Sequence, residues 1–192
     1  MKSEQASLQH RPFLIPIWLT AIAAIASFAV FIFAVVTVWA WFTANSTTIV
    51  VIRHAEKDTA NVADPALSPA GEARAALLAR LFGNAQGPGR LDAIYVSDTL
   101  RSRMTAAPLA ERLGIVPIVD GSEQPKGLVR RVLKENSGKR VIIVGHVNTV
   151  PEIVALLSDR SDIPKMDEHD FGAMYVVTVP RIGHANLVRL NY

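Results

Sequence analysis

Hydrophobic and polar positions divide this chain into one long apolar run followed by short apolar runs that alternate with segments of helical periodicity. The long run extends from Phe13 to Phe42 and contains no charged residue. A membrane-spanning helix needs about 20 apolar residues, whereas the apolar region of a signal peptide has about 7–15. Because the run is too long for a signal peptide and no small-residue cleavage pattern follows it, the sequence predicts an uncleaved transmembrane anchor over residues 13–42.

The charges that flank this run predict a topology. Lys2 and Arg11 precede it, and no lysine or arginine follows it closely. By the positive-inside bias, residues 1–12 are expected in the cytoplasm. The chain is then a single-pass membrane protein, and everything after a polar tether at residues 43–48 lies in the periplasm or elsewhere outside the cytoplasm.

The region beyond the tether alternates between strand and helix patterns. Six apolar, largely β-branched runs predict strands, namely Thr48–Ile52, Leu91–Ser97, Ile115–Val119, Lys139–Gly145, Ala173–Pro180 and Asn186–Tyr192. Four segments predict helices, namely Ser68–Gly83, Asp98–Leu113, Pro125–Asn136 and Val150–Asp159. Pro108 is expected to kink or break the second helix. This alternation predicts one α/β domain, residues 49–192, around a mainly parallel sheet.

Composition narrows the chemistry available to this domain. The chain has no cysteine, which excludes disulfides and thiolate nucleophiles. Its net charge is only +3, and no basic block is interleaved with aromatic residues, so nucleic acid is not an expected partner. An anionic ligand must therefore be attracted by a local cluster of arginines rather than by the field of the whole protein.

Polar residues follow three of the predicted strands. Arg53 and His54 end the first strand, Arg101 lies one turn into the helix after the second, and His146 follows the fourth. Ligands of parallel sheets bind outside the carboxyl ends of the strands, so these four side chains are expected at one edge. Arginine presents a planar fork of donors that matches phosphate oxygens, and neutral histidine is a nucleophile. The pattern indicates a phosphate site.

Four motifs occur in an order and spacing that resemble the histidine phosphatase superfamily, also called phosphoglycerate mutase-like. They are VIRHAEK at 51–57, LSPAGEARA at 67–75, YVSDTLRSRMTA at 95–106 and VIIVGHVNTVPEIV at 141–154. The resemblance covers about residues 48–192. The chain departs from the usual pattern where Ala55 replaces the glycine of RHG and where Met104 replaces a common glutamine.

The resemblance implies a three-layer α/β/α fold and a division of labour among the site residues. His54 would attack phosphorus and become a phosphohistidine, while Arg53, Arg101 and His146 would hold the phosphoryl oxygens. A carboxylic acid would protonate the leaving oxygen and later activate water. Neither a metal nor another cofactor is implied.

The identity of that acid stays open among three residues. Glu123, in the loop VDGSEQP, is the first candidate, Asp120 is the second, and Glu56 of the RHAEK motif is the reserve. Glu56 is also expected to contribute to substrate binding. Asn148 has two interpretations, as a pocket residue that binds substrate or as a cap of the helix that contains Pro151, and the cap is favoured.

These expectations combine into a membrane-anchored phosphomonoester hydrolase that acts through phospho-His54 without metal. Its substrate would be a phosphorylated small molecule, glycolipid or protein, and its other partner the membrane. Two alternatives remain at the level of sequence. One is a phosphohistidine protein phosphatase in signalling, and the other is a non-catalytic phosphate-binding module on the same fold.

Overall fold

A computed structural model of the chain describes residues 16–44, 46–59, 63–121 and 124–192, and divides it into two units, Met1–Trp41 and Phe42–Tyr192. Helix α1 (Ile17–Ala44) carries a 24-residue stretch, Trp18–Trp41, with a mean hydropathy of 2.7 and none of its most apolar window buried. A helix that is apolar all round and covered by no protein is typical of a membrane span. By length and composition, α1 can cross a membrane.

Among its described residues, the second unit contains six strands and four α-helices, which alternate as far as the fifth strand. The strands are β1 (Thr47–Arg53), β2 (Ala93–Val96), β3 (Ile118–Val119), β4 (Arg140–Gly145), β5 (Ala173–Val179) and β6 (Asn186–Asn191). The helices are α2 (Pro69–Phe82), α3 (Leu100–Leu113), α4 (Pro125–Glu135) and α5 (Thr149–Ser158), with a short 3-10 turn at Gly87–Gly89.

The six strands form one sheet in the order β3-β2-β4-β1-β5-β6. The first four in this order run parallel to one another. β5 pairs antiparallel with β1, and β6 pairs antiparallel with β5. Helices cover both faces, which confirms the predicted α/β fold with a mainly parallel sheet. The parallel arrangement places the carboxyl ends of β1, β2, β3 and β4 at one edge.

Alternation along β1 explains why the core has two halves. Ile49 and Val51 belong to the cluster beneath α4 and α5, while Val50 and Ile52 belong to the cluster beneath α2 and α3. Because successive strand residues point to opposite faces, a continuous apolar strand buries both of them. β1 therefore lies in the interior of the sheet, and its carboxyl end lies between those of its neighbours at the edge where the parallel strands end.

Several element boundaries differ in detail from the sequence expectation. α3 is continuous through Pro108, so the proline neither ends nor divides it. β3 is two residues long and pairs, among the described strands, with β2 alone. This is expected of an edge strand that lies next to a proline. α1 ends at Ala44 and β1 begins at Thr47, which leaves residues 45–46 between them.

Candidate active site

The parallel pairing of β1 and β4 brings the two histidines together. Arg53 is in register with Gly145, and the His54 backbone N–H donates to the Gly145 carbonyl at 2.9 Å. His146 follows directly on β4, and the imidazole centroids of the two histidines lie 5.3 Å apart. Residues more than 90 positions apart in sequence thus share one site because their strands are neighbours.

His54 is held in a defined tautomer. Its side chain is buried, and Nδ1 lies 2.8 Å from the Ala55 carbonyl, which can only accept a hydrogen bond. Nδ1 therefore carries the proton, and Nε2 keeps its lone pair. The pKa of His54 is lowered to about 4, chiefly by burial; the nearby His146, Arg101 and Arg53 contribute in the same direction, and the hydrogen bond to the Ala55 carbonyl opposes them. At neutral pH the imidazole is uncharged and nucleophilic.

Arg53 is oriented by the segment before β5, which sequence reasoning did not connect with the site. Its Nη1 donates to the carbonyls of Asp167 (3.2 Å) and Glu168 (2.7 Å), and its guanidinium lies 4.0 Å from the ring centroid of Phe171. Burial lowers the pKa of Arg53, whereas the acidic groups of that segment raise it. In the sequence, the one sign of this segment is the acidic and aromatic stretch DEHDF ahead of a strand. The stretch has no motif spacing that would connect it with the site.

Arg101 enters the site from the first turn of α3. Its Nη1 lies 4.0 Å from the Asp64 carboxylate, which also accepts the backbone N–H of Leu100. Within the described part of the chain, the buried Nε atoms of Arg53 and Arg101 have no hydrogen-bond partner. Buried donors normally find acceptors, so these two unsatisfied Nε–H donors match an anion that supplies the missing oxygens.

The threonine of the α3 motif links Arg101 to the segment of His54. The buried Thr105 hydroxyl accepts the backbone N–H of Ala55 at 2.9 Å and donates to the Arg101 carbonyl at 2.7 Å. Ala55 is the residue after His54, so a single hydroxyl joins this segment to α3. This contact gives a physical reason for the arginine-to-threonine spacing.

The start of α2 packs closely against the backbone of the segment that follows His54. The Ser68 backbone N–H donates to the Glu56 carbonyl at 2.9 Å, and the Ser68 hydroxyl caps α2 by accepting from the Gly71 N–H. A Cβ at position 71 would lie 2.1 Å from the Glu56 carbonyl oxygen. Only glycine allows this approach, which explains the Leu-Ser-Pro-Ala-Gly start of the helix.

Glu56 is occupied by an ion pair. Arg74 on α2 donates to both of its carboxylate oxygens, at 2.6–3.0 Å, and these hydrogen bonds hold the pKa of Glu56 below its usual value. A carboxylate stabilised in its ionised form is poorly suited to donate a proton at neutral pH. Glu56 does line the cavity, so its predicted place near the substrate agrees with its position.

The turn after β4 presents His146 to the cavity. The Thr149 hydroxyl accepts the His146 N–H at 2.9 Å, and a Cβ at position 145 would lie only 3.0 Å from that hydroxyl oxygen. Asn148 occupies the N-cap position of α5 but makes no side-chain cap hydrogen bond, and it lines the cavity. The Asn148 side chain therefore does not cap α5, contrary to the favoured interpretation, and a role for it in substrate binding stays a prediction.

These side chains surround one cavity of about 710 Å³ at the carboxyl edge of the sheet. Arg53, His54, Arg101 and His146 line it together with Asp120. Glu123, the first candidate for the proton donor, lies outside the described residues. Among the residues that the structure describes, no group of three or more histidines, aspartates or glutamates is arranged to hold a metal ion.

Comparison with known proteins agrees with this geometry. The family model of the histidine phosphatase superfamily (branch 1) matches residues 49–123, which include β1, α2 and α3 with their motifs. No curated protein matches the chain in sequence.

Solved structures match the domain over its whole length. The protein histidine phosphatase SixA complexed with tungstate has a TM-score of 0.62 at 15% identity, over 75% of this chain and 96% of its own. A mycobacterial glucosyl-3-phosphoglycerate phosphatase has a TM-score of 0.60 at 18% identity, over 76% and 99%. A mycobacterial hydrolase has a TM-score of 0.61 at 17% identity, over 76% and 89%. Identities this low establish the fold alone. The family match over residues 49–123 covers the motifs that carry Arg53, His54 and Arg101, whereas the motif with His146 lies beyond it. This segment of the chain is thus similar to the histidine phosphatase superfamily, and the domain has the fold of the solved phosphatases named above.

Proposed function

We propose that this protein is a membrane-anchored phosphomonoester hydrolase that works through a phosphohistidine on His54. The match of residues 49–123 to the superfamily supports phosphatase activity in general. The observation that carries the specific proposal is the state of His54, which is buried, neutral at pH 7 and bonded through Nδ1–H to the Ala55 carbonyl. A histidine in this state directs an unprotonated Nε2 at whatever anion the two arginines hold.

The reaction follows from the positions of these groups. Nε2 of His54 attacks phosphorus, the bond from phosphorus to the leaving oxygen breaks, and an acid protonates that oxygen. The ionised acid then takes a proton from water as the water oxygen attacks phosphorus, the P–N bond breaks, and its electron pair returns to Nε2 as inorganic phosphate leaves. Arg53, Arg101 and His146 neutralise the equatorial oxygens in both steps, which is the main contribution of a protein to phosphoryl transfer.

The proton donor is assigned to Glu123, with Asp120 as the second candidate. Asp120 lines the cavity and follows β3, and Glu123 lies three residues further along the same connection to α4. Glu56 is the weakest candidate because its ion pair with Arg74 stabilises the ionised form. No step requires a metal, since two guanidinium groups supply the positive charge.

The location of the protein is part of the proposal. Helix α1 is long and apolar enough to span a bilayer; Lys2 and Arg11 precede it, and no lysine or arginine follows it before Arg53. The positive-inside bias then assigns the catalytic domain to the extracytoplasmic side.

Two substrates of different leaving-group acidity test the nucleophile and the acid separately. The full chain in detergent micelles, with EDTA present, would be assayed with p-nitrophenyl phosphate and with an alkyl phosphate, and the phosphoenzyme would be trapped as an acid-labile, base-stable adduct. His54→Ala should abolish turnover and adduct alike. Glu123→Gln should lower alkyl phosphate turnover by at least about a hundredfold. Because p-nitrophenolate leaves without protonation, that variant should still form adduct from the aryl ester.

Asp120→Asn and Glu111→Gln complete the design. Loss of alkyl phosphate turnover in Asp120→Asn but not in Glu123→Gln would transfer the acid role to Asp120. Glu111 lies on the exposed side of α3, away from the cavity residues, so its variant should behave as wild type. If the wild-type protein binds tungstate yet shows neither turnover nor adduct, the hydrolase proposal is wrong and the chain is a phosphate-binding module.

A further inference from the structure

The charges that line the cavity are separated along the edge of the sheet. The central strands β4 and β1 carry His146 and Arg53, while the strands on either side are followed or preceded by acids. Asp98 follows β2, Asp120 follows β3 and Glu168 precedes β5, and all three line the cavity. The positive charges therefore lie in the middle of the cavity, and the negative charges flank them.

Positive charge beyond the phosphoryl position is scarce. Among the described lining residues, Lys57 is the one lysine or arginine besides Arg53 and Arg101. It is exposed and bridges to Leu67 in the segment that leads into α2. A second phosphate or a carboxylate on the substrate, placed toward β2 and β3, would meet Asp98 and Asp120 rather than a cation. Repulsion between like charges inside one cavity opposes binding.

The same side of the cavity has an apolar wall. The cavity extends along the face of the sheet covered by α4 and α5, where it is lined by the half-buried Pro125 and by four core side chains that are each at most 9% exposed, namely Leu128, Ile153, Ile143 and Tyr95. We call this part the apolar lobe. A cavity of about 710 Å³ is far larger than a phosphate ion, and volumes of this order with apolar walls are typical of sites for organic ligands.

We propose that the substrate is a monoester with a single phosphoryl group, whose leaving group has no further negative charge near the ester and lays an apolar part in the apolar lobe. This inference rests on the proposed hydrolase function and specifies its substrate class. Neutral or cationic alcohols with an alkyl or aryl portion fit the cavity, whereas bisphosphates and phosphorylated carboxylic acids do not. The two arginines are then used entirely by the transferred phosphoryl group.

Three aryl phosphates of nearly equal chemical reactivity test the charge preference. They are O-phosphotyramine, 4-ethylphenyl phosphate and 3-(4-phosphooxyphenyl)propanoate, which differ in a distal ammonium, hydrogen or carboxylate insulated from the phenol by two methylenes. With the full chain in micelles at low salt, kcat/KM for the cationic ester should exceed that for the anionic ester by about tenfold, and the ratio should shrink at high salt. The neutral ester serves as reference, so a general loss of activity cancels.

Charge-neutral variants assign the preference to the acids. Asp98→Asn and Glu168→Gln should each reduce the cation-to-anion ratio by about threefold, whereas the matched control Glu111→Gln should leave it unchanged. Competitive inhibition tests the apolar lobe without turnover. Benzylphosphonate should have a KI about tenfold lower than methylphosphonate, because its ring leaves water for the apolar wall.

The outcomes separate this inference from the function on which it rests. No turnover of any ester and no phosphoenzyme would remove the hydrolase proposal, while the two phosphonates would still report on the lobe. Equal kcat/KM for all three esters, or preference for the anionic one, together with normal phosphoenzyme, would overturn the substrate class and leave the hydrolase intact. Equal KI values for the two phosphonates would show that the apolar lobe does not bind the apolar part of the ligand.

Discussion

At the scale of single residues, the site is organised around a histidine whose burial prevents protonation. The ordinary pKa of 6.5 falls to about 4, chiefly through desolvation by burial. Two flanking arginines and a second histidine add to the effect. The same environment that is proposed to bind an anion thus keeps His54 neutral, and it makes the folded state sensitive to acid.

Acid should destabilise the domain through His54 in a measurable way. Between the unfolded pKa of about 6.5 and the folded pKa of about 4, the unfolded state binds a proton that the folded state does not, so stability falls as pH falls through this window. Between pH 7.5 and 4.5, wild type should lose roughly 2 kcal/mol more than His54→Gln, which has no titrating imidazole. Denaturant unfolding at both pH values measures this difference. Equal losses in the two proteins would contradict the buried neutral state.

The Thr105 hydroxyl should matter more than its size suggests. Thr105→Val keeps the shape but leaves the Ala55 N–H buried without an acceptor, which costs about 2–3 kcal/mol and displaces the segment that follows His54. Thr105→Ser keeps the hydroxyl and should cost about 1 kcal/mol. Thermal unfolding and turnover assays on both variants measure these effects. If Thr105→Val kept activity while Thr105→Ser lost it, the hydrogen bond from the Ala55 N–H to the Thr105 hydroxyl would not be needed for activity.

At the scale of elements, the start of α2 is built against the segment that carries the nucleophile. Ser68 and Gly71 of its first turn contact the Glu56 carbonyl, and Arg74 one turn later holds the Glu56 carboxylate. The helix thereby fixes the backbone two residues beyond His54. Its position is a structural requirement of the site, although none of its own side chains is assigned a chemical step.

Two glycine substitutions separate this contact from helix propensity. Gly71→Ala places a methyl group 2.1 Å from the Glu56 oxygen and should cost about 2–3 kcal/mol, with loss of turnover as the segment shifts. In Gly127→Ala, in the first turn of α4, the new Cβ meets nothing within 4 Å, so the variant should gain about 0.5–1 kcal/mol. Chemical denaturation measures both. A neutral effect at position 71 would show that the approach of α2 is not needed.

At the scale of the whole molecule, the chain consists of an apolar helix and a folded domain that have different physical requirements. α1 satisfies its backbone within itself and exposes apolar side chains all round, whereas the second unit buries its apolar residues on both faces of a sheet. Each part is expected to keep its own behaviour when the two are separated.

Removal of the helix should release the domain without unfolding it. The full chain should remain with membranes after alkaline carbonate extraction, and a fragment that starts at Ser46 should stay in the supernatant. The melting temperature of the fragment should match that of the full chain in micelles within about 2 °C, because the core lies in the second unit. Extraction of the full chain by carbonate, or an unfolded fragment, would contradict this division.

The orientation can be measured directly because the chain has no cysteine. Ser161→Cys, at an exposed position of the domain, should react with a membrane-impermeant maleimide in spheroplasts. Ser3→Cys, ahead of the helix, should react only after the membrane is permeabilised. The reverse pattern would place the domain in the cytoplasm and would favour intracellular phosphoproteins as substrates.

The local part of this protein could be predicted from the sequence because local interactions determine it. The apolar run that forms α1, the β-branched runs of β1 and β4, and the Ser68-Pro69 start of α2 each depend on residues close together in the chain. The α/β fold and the family followed from the order of such segments and their motifs. The expected helix break at Pro108 did not follow, since packing against α2 and the sheet maintains α3.

The site residues were predicted as a group, whereas their environment required the tertiary structure. Arg53, His54, Arg101 and His146 line one cavity as the strand order requires, and their catalytic roles stay predictions. The contact of Arg53 with Phe171 and the Asp167 and Glu168 carbonyls came from a segment without a recognisable pattern.

The sequence by itself determined the long apolar helix, the order of strands and helices, and the four side chains at or near the strand ends, because each depends on composition or spacing within a short stretch. Only the tertiary structure decided that His54 is neutral, that Glu56 is held by Arg74, and that acids and apolar side chains line the same cavity. Burial, pKa and the sign of the surrounding charge arise from residues distant in sequence, and folding alone sets their distances.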